Sequence, residues 1–118
     1  MPALVEAILE RWFTTGFRAR EPLAVDRIRR MLLATPVDGY AGCCEALRDM
    51  DQRAALSSIV APTLVIAGTY DPAPGPEAAR AWAAVIPRSR FLELPAAHLS
   101  NIGAAEQFTR QVLGFLLD

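Results

Sequence analysis

The run from Pro62 to Pro76, Pro-Thr-Leu-Val-Ile-Ala-Gly-Thr-Tyr-Asp-Pro-Ala-Pro-Gly-Pro, restricts the chain to few folds. Leu64, Val65 and Ile66 are an apolar run with two β-branched residues, closed by Gly68, and this predicts a short strand buried on both faces. A loop follows at once, placing Asp71 just beyond the strand's carboxyl end. In open α/β sheets that rim is where ligands and catalytic side chains collect. A second strand is predicted over Arg90 to Leu94, ended by Pro95, and His98 lies a few residues on, at the equivalent place. Between them Ala78, Ala79, Trp82, Ala83 and Ile86 recur at helical spacing over Pro76 to Ile86. A strand-helix-strand crossover is right-handed almost without exception and makes its strands parallel. Parallel strands side by side, or with one strand between them, bring both loops to one rim. Asp71 is then expected against one nitrogen of His98, the other facing a cleft: the orienting acid and general base of a hydrolytic triad.

Three helices are expected before any strand. Pro2 to Phe13 carries Leu4, Val5, Ile8, Leu9 and Trp12 on one stripe; Pro22 to Ala34 turns Leu23, Ile28, Met31 and Leu32 inward. Thr35-Pro36 starts a third that runs through Tyr40, Cys43, Cys44 and Leu47 toward Met50. Arg53 to Ile59 reads as a linking stretch. At the other end, Phe108, Val112, Phe115 and Leu116 predict one helix over Ile102 to Leu117 that packs on the sheet. The Pro-rich run at Pro72, Pro74 and Pro76 reads as an ordered turn.

With 118 residues, 53% hydrophobic content and a formal net charge of −1, the chain suits one soluble globular domain. All twelve basic residues are arginines, and they are scattered apart from Arg27, Arg29 and Arg30, expected on a solvated helix face. Nothing in that pattern points to nucleic acid. No apolar run approaches the roughly 20 residues that cross a bilayer, and no leader pattern opens the chain, so no membrane partner and a cytoplasmic location are expected. Cys43 and Cys44 are adjacent and lack histidine neighbours, so they suit neither a mutual disulfide nor a zinc site and are expected in or near the core.

The stretch Ile59 to Pro72, with Ala97-His98-Leu99-Ser100-Asn101, resembles the carboxyl-terminal part of the α/β-hydrolase family. Arg11-Trp12-Phe13 and the run Asp38 to Asp51 extend the resemblance to the 3-oxoadipate enol-lactonases, which act in the β-ketoadipate pathway of aromatic degradation. The resemblance implies an α/β fold in which residues 1–50 are part of a helical cap and residues 51–118 the carboxyl-terminal part of the core. It implies hydrolysis of a small lactone or ester, with no metal and no cofactor, by His98 as general base and Asp71 as its orienting acid. Arg11 and Trp12 match a cap motif of these lactonases, where an arginine fork suits a substrate carboxylate. They equally suit a surface arginine beside a core tryptophan.

Such an enzyme needs a nucleophile, which the family carries on a strand-to-helix turn written G-x-S-x-G. Of the four serines, Ser57, Ser58, Ser89 and Ser100, none is flanked in this way. Cys44 lacks the trailing glycine and falls on an expected cap helix, and Ser100 is expected to cap the last helix. The chain therefore reads as one of three things: a piece of a longer enzyme, the product of a truncated gene, or a half that works with another chain. A silent polypeptide that self-associates through the exposed edge of its first strand is an alternative of a different kind. A different α/β-hydrolase, an esterase or a cofactor-free haloperoxidase, is a third.

Overall fold

The computed structural model describes residues Met1 to Leu117. Its elements are α1 Pro2–Trp12, α2 Thr15–Arg20, α3 Pro22–Ala34, α4 Val37–Asp49, a 3-10 turn Arg53–Ser58, β1 Thr63–Gly68, α5 Pro76–Val85, β2 Ser89–Leu94, α6 Ser100–Gly103 and α7 Ala105–Leu117. Prolines open α1, α3 and α5, where a fixed φ suits the first helical residue and the missing N–H breaks no bond. The short α2 has no periodic signature to find in the sequence. It depends on its cap: Thr14 Oγ1 accepts the Phe17 N–H at 3.2 Å.

The main apolar cluster lies among the first three helices, where Val5, Ile8, Leu9, Phe13, Phe17, Val25 and Leu32 are buried. Leu9 and Phe13 are sealed from solvent, and the Phe13 and Phe17 rings stack with centroids 5.1 Å apart. Leu99 and Ile102, from beyond the sheet, pack on the same cluster. The expected faces need correction at the margins: Leu4, Leu23, Met31 and Leu47 are exposed. Cys43 and Cys44 are also exposed free thiols, not core residues, because α4 buries none of its residues and only Tyr40 leans on the cluster. Burial raises the Tyr40 phenol, with the Cys44 thiol beside it adding to the effect.

β1 and β2 pair side by side and parallel, in register from Thr63 opposite Ser89 to Gly68 opposite Leu94. Alternation along β2 sends Phe91 and Glu93 to one face and Arg90 and Leu92 to the other. On the first, Arg80 of α5 lies 4.4 Å over the Phe91 ring and bonds Glu93 at 3.0 Å. On the second, Phe115 of α7 lies under the Arg90 guanidinium at 4.9 Å. The expectation of a first strand buried on both faces is not met: Leu64, Val65 and Ile66 are half-buried. Among the described residues the sheet has two strands, too few for one helix per face to close around them. The radius of gyration agrees, at 15.8 Å where a closed domain of this length has about 13.5 Å.

The single terminal helix expected from sequence is two, separated at Ala104. The break lets Ile102 reach the helical cluster while α7 turns along the sheet, half-burying Phe108, Val112 and Phe115 and leaving Leu116 exposed. Among the described residues no helix is long and apolar enough to cross a membrane.

Charge ties the first and third helices together. Arg29 donates to both carboxylate oxygens of Glu6, from Nε at 2.8 Å and Nη2 at 3.2 Å, and lies near Asp26. Those bonds hold the Glu6 carboxyl below its ordinary value of 4.5. A pKa depressed by folding marks a contribution that is present above the unfolded value and is lost as the pH falls through the folded one. An NMR titration of the Glu6 carboxyl carbon should have its midpoint below 4.5, and Arg29→Met should return it to the ordinary value. A wild-type midpoint already at the ordinary value would mean that the pair is broken in solution.

Candidate active site

The parallel ladder does not stop at the strand ends. Past Gly68 and Leu94, the Thr69 N–H donates to the Leu94 carbonyl at 2.9 Å, the Thr69 hydroxyl donates to the same oxygen at 3.0 Å, and the Tyr70 N–H reaches the Ala96 carbonyl at 3.0 Å. Two loops that leave neighbouring strands are thereby held together over their first residues. Gly68 permits it, because a Cβ there would collide with the Ala97 carbonyl oxygen. In the sequence Gly68 reads only as the end of a strand; the small residues Ala96 and Ala97 opposite it are the remaining signal.

On this base Asp71 meets His98. Asp71 Oδ2 lies 2.8 Å from His98 Nδ1. An ionised carboxylate only accepts, so Nδ1 carries the proton and Nε2 of the neutral ring has its lone pair free. Asp71 Oδ1 accepts the Ala73 N–H at 3.0 Å, an Asx turn that fixes the carboxylate's direction. This turn carries a cis peptide between Ala73 and Pro74. The Asp71 side chain is only 9% exposed and that of His98 35%. The acid is shielded and the imidazole is open to solvent.

Of Arg11 and Trp12, the two residues singled out in the sequence for a substrate-binding role, one is brought to the pair. The Trp12 ring stacks on the His98 ring, centroids 6.0 Å apart and planes 22° from parallel. Arg11 is exposed, near enough to Tyr40 for its charge to favour the phenolate. Ser100 is buried as the first residue of α6, but Leu99 occupies the capping position and no side-chain cap bond forms. Asp49 and Asp51 pair with the neighbouring Arg48 and Arg53, and the latter contacts hold the Asp51 carboxyl down to about 2.

No protein-family model matches the chain. Two curated relatives do: 3-oxoadipate enol-lactonase 2 of Acinetobacter baylyi, 35% identical over 92% of this chain and 41% of the relative, and 3-oxoadipate enol-lactonase 1 of the same organism, 35% identical over 96% and 42%. Among solved structures, the enol-lactonase from Burkholderia xenovorans LB400 superposes with a TM-score of 0.98 at 42% identity, over all of this chain and 45% of that one. The chain has the fold of the matching part of an enol-lactonase-like α/β-hydrolase. It spans less than half the length of these enol-lactonases. A thermophilic esterase from Thermogutta terrifontis matches the enol-lactonase-like fold with a TM-score of 0.89 at 29% identity, over 96% of this chain and 42% of its own.

Gly68→Ala tests whether the close approach of the loops holds the pair. It should destabilise the protein by about 1–3 kcal/mol, the usual cost of forcing an extra methyl group into packed structure. It should also abolish the His98 Nδ1–H to Asp71 bond seen by NMR. Gly42→Ala, on α4 with open space around it, should stabilise by about 0.5–1 kcal/mol through helix propensity alone. Equal and small effects of both in denaturant titrations would refute the packing argument.

Proposed function

We propose that Asp71 and His98 are the acid and base of a triad that hydrolyses 3-oxoadipate enol-lactone to 3-oxoadipate in aromatic degradation. The nucleophile then lies outside these 118 residues. The observation that carries this reading is the 2.8 Å contact between Asp71 Oδ2 and His98 Nδ1 at the carboxyl ends of adjacent parallel strands. The enol-lactonases among the relatives support the choice of substrate.

In that reaction His98 Nε2 removes the proton of a serine hydroxyl as its oxygen attacks the lactone carbonyl. Asp71 keeps the imidazole in the tautomer that can accept, and stabilises the imidazolium that forms. The ring C–O bond then breaks. The proton passes from Nε2 to the departing enol oxygen, the acyl group stays on the serine, and the enol tautomerises to the 3-oxo group. Water, deprotonated by the same imidazole, cleaves the ester and restores the hydroxyl. In this reading the helices of residues 1–50 form part of the cap over the core of residues 51–118. Trp12 walls the cleft, and Arg11 is the candidate partner for the substrate carboxylate.

The test is a chimera in which these 118 residues replace the matching segment of the Burkholderia xenovorans enol-lactonase. It should open the enol-lactone, and Asp71→Asn should lower kcat by roughly 10⁴-fold, as loss of the correct tautomer does in serine hydrolases. Activity that survives His98→Ala would sink the proposal. Faster turnover of a simple aryl ester than of the lactone would favour an esterase, a reading supported by the likeness to the Thermogutta protein.

The isolated chain should behave differently. With its half-buried β1 and an unpaired edge, it is expected to self-associate strand to strand. Sedimentation velocity should show dimers or larger species, and a monodisperse monomer would count against edge pairing.

A further inference from the structure

His98 is held from two sides. From the sheet side, Asp71 takes Nδ1 and the Tyr70 N–H bonds the Ala96 carbonyl two residues earlier. From the helical side, the Leu99 N–H donates to the Trp12 carbonyl at 3.2 Å. Trp12 is the last residue of α1, and the last carbonyls of a helix have no partner within it. One of these orphan acceptors is thus used to anchor the residue that follows His98. The same tryptophan lays its side chain on the imidazole, with centroid spacing within the range at which aromatic pairs attract.

A carboxylate contact at one ring nitrogen leaves the imidazole free to swing about the bond to that nitrogen. A second contact on the ring face removes this freedom. We propose that Trp12 is a positioning residue for His98: its indole face fixes the plane of the imidazole so that Nδ1 stays on Asp71 and Nε2 keeps one direction. Main chain and side chain of a single residue in the helical half therefore set the orientation of a group carried by the sheet half. The bearing of this on catalysis rests on His98 being the general base. The orientation itself does not.

The experiment reads ring order, not turnover, so its failure is distinct from failure of the chimera described above. His98 is the only histidine, and its ring signals in the isotopically labelled chain need no sorting from others. In the wild type, the carbon-bound ring protons facing the indole should be shifted upfield, with cross-relaxation to the Trp12 ring, and the nitrogen shifts should report the Nδ1–H tautomer. Trp12→Leu should lose the upfield shift, and its Nδ1–H should exchange about two- to tenfold faster, the range set by the strength of aromatic pairs. Trp12→Phe should restore most of both. The proposal is overturned if Trp12→Leu keeps a native circular dichroism spectrum with unchanged tautomer and exchange. Absence of the upfield shift and cross-relaxation in the wild type overturns it too, and that measurement needs no variant to fold.

Discussion

Everything at the candidate site depends on how closely the loop after β2 can approach the end of β1. At Gly68 the carbonyl of Ala97 occupies the space a side chain would need. This lets the backbone ladder continue through Thr69 and Tyr70 to Leu94 and Ala96. A carboxylate three residues past one strand and an imidazole four residues past the other then meet at hydrogen-bonding distance. Loops are usually the mobile part of an α/β rim. Here their first residues behave as an extension of the sheet, and this fixes the geometry of the contact between Asp71 and His98.

The molecule has an uneven distribution of packing. The helical cluster around Leu9 and Phe13 is dry, whereas the sheet is half-covered. Leu99 and Ile102 bind the two parts by inserting into the helical cluster from the sheet side, and the bond from Leu99 to Trp12 runs through the same seam. His98 is the residue immediately before that seam, so the rigid helical packing is transmitted to it over one peptide unit. The chain matches less than half of each enol-lactonase.

Much of this was legible before any coordinates. The β-branched run closed by glycine, the helical spacing from Pro76 and the second run before Pro95 located β1, α5 and β2 to within a residue or two, because each is decided by local periodicity and by residues that stop it. The same logic failed where a residue's surroundings decide. Cys43, Cys44 and Leu47 have the composition of an inward stripe, yet α4 buries none of its residues and leans on the helical cluster through Tyr40. The stripe over Ile102 to Leu117 was real but not continuous, since reaching two different surfaces required the break at Ala104. Strand burial was overestimated for a related reason: an apolar run records what a strand is suited to, not how many neighbours it has.

By itself the sequence determined the order of strand, helix and strand, the parallel pairing that this order imposes, and the placing of Asp71 and His98 just beyond the strand ends. These follow from chain connectivity and the handedness of the crossover. Only the tertiary structure decided that the strands are adjacent, that Asp71 is shielded while His98 is open, and that Trp12 lies on the imidazole. The physical reason is that a contact between residues 86 positions apart depends on how the helical cluster and the sheet pack together, and no local pattern in the chain encodes that distance.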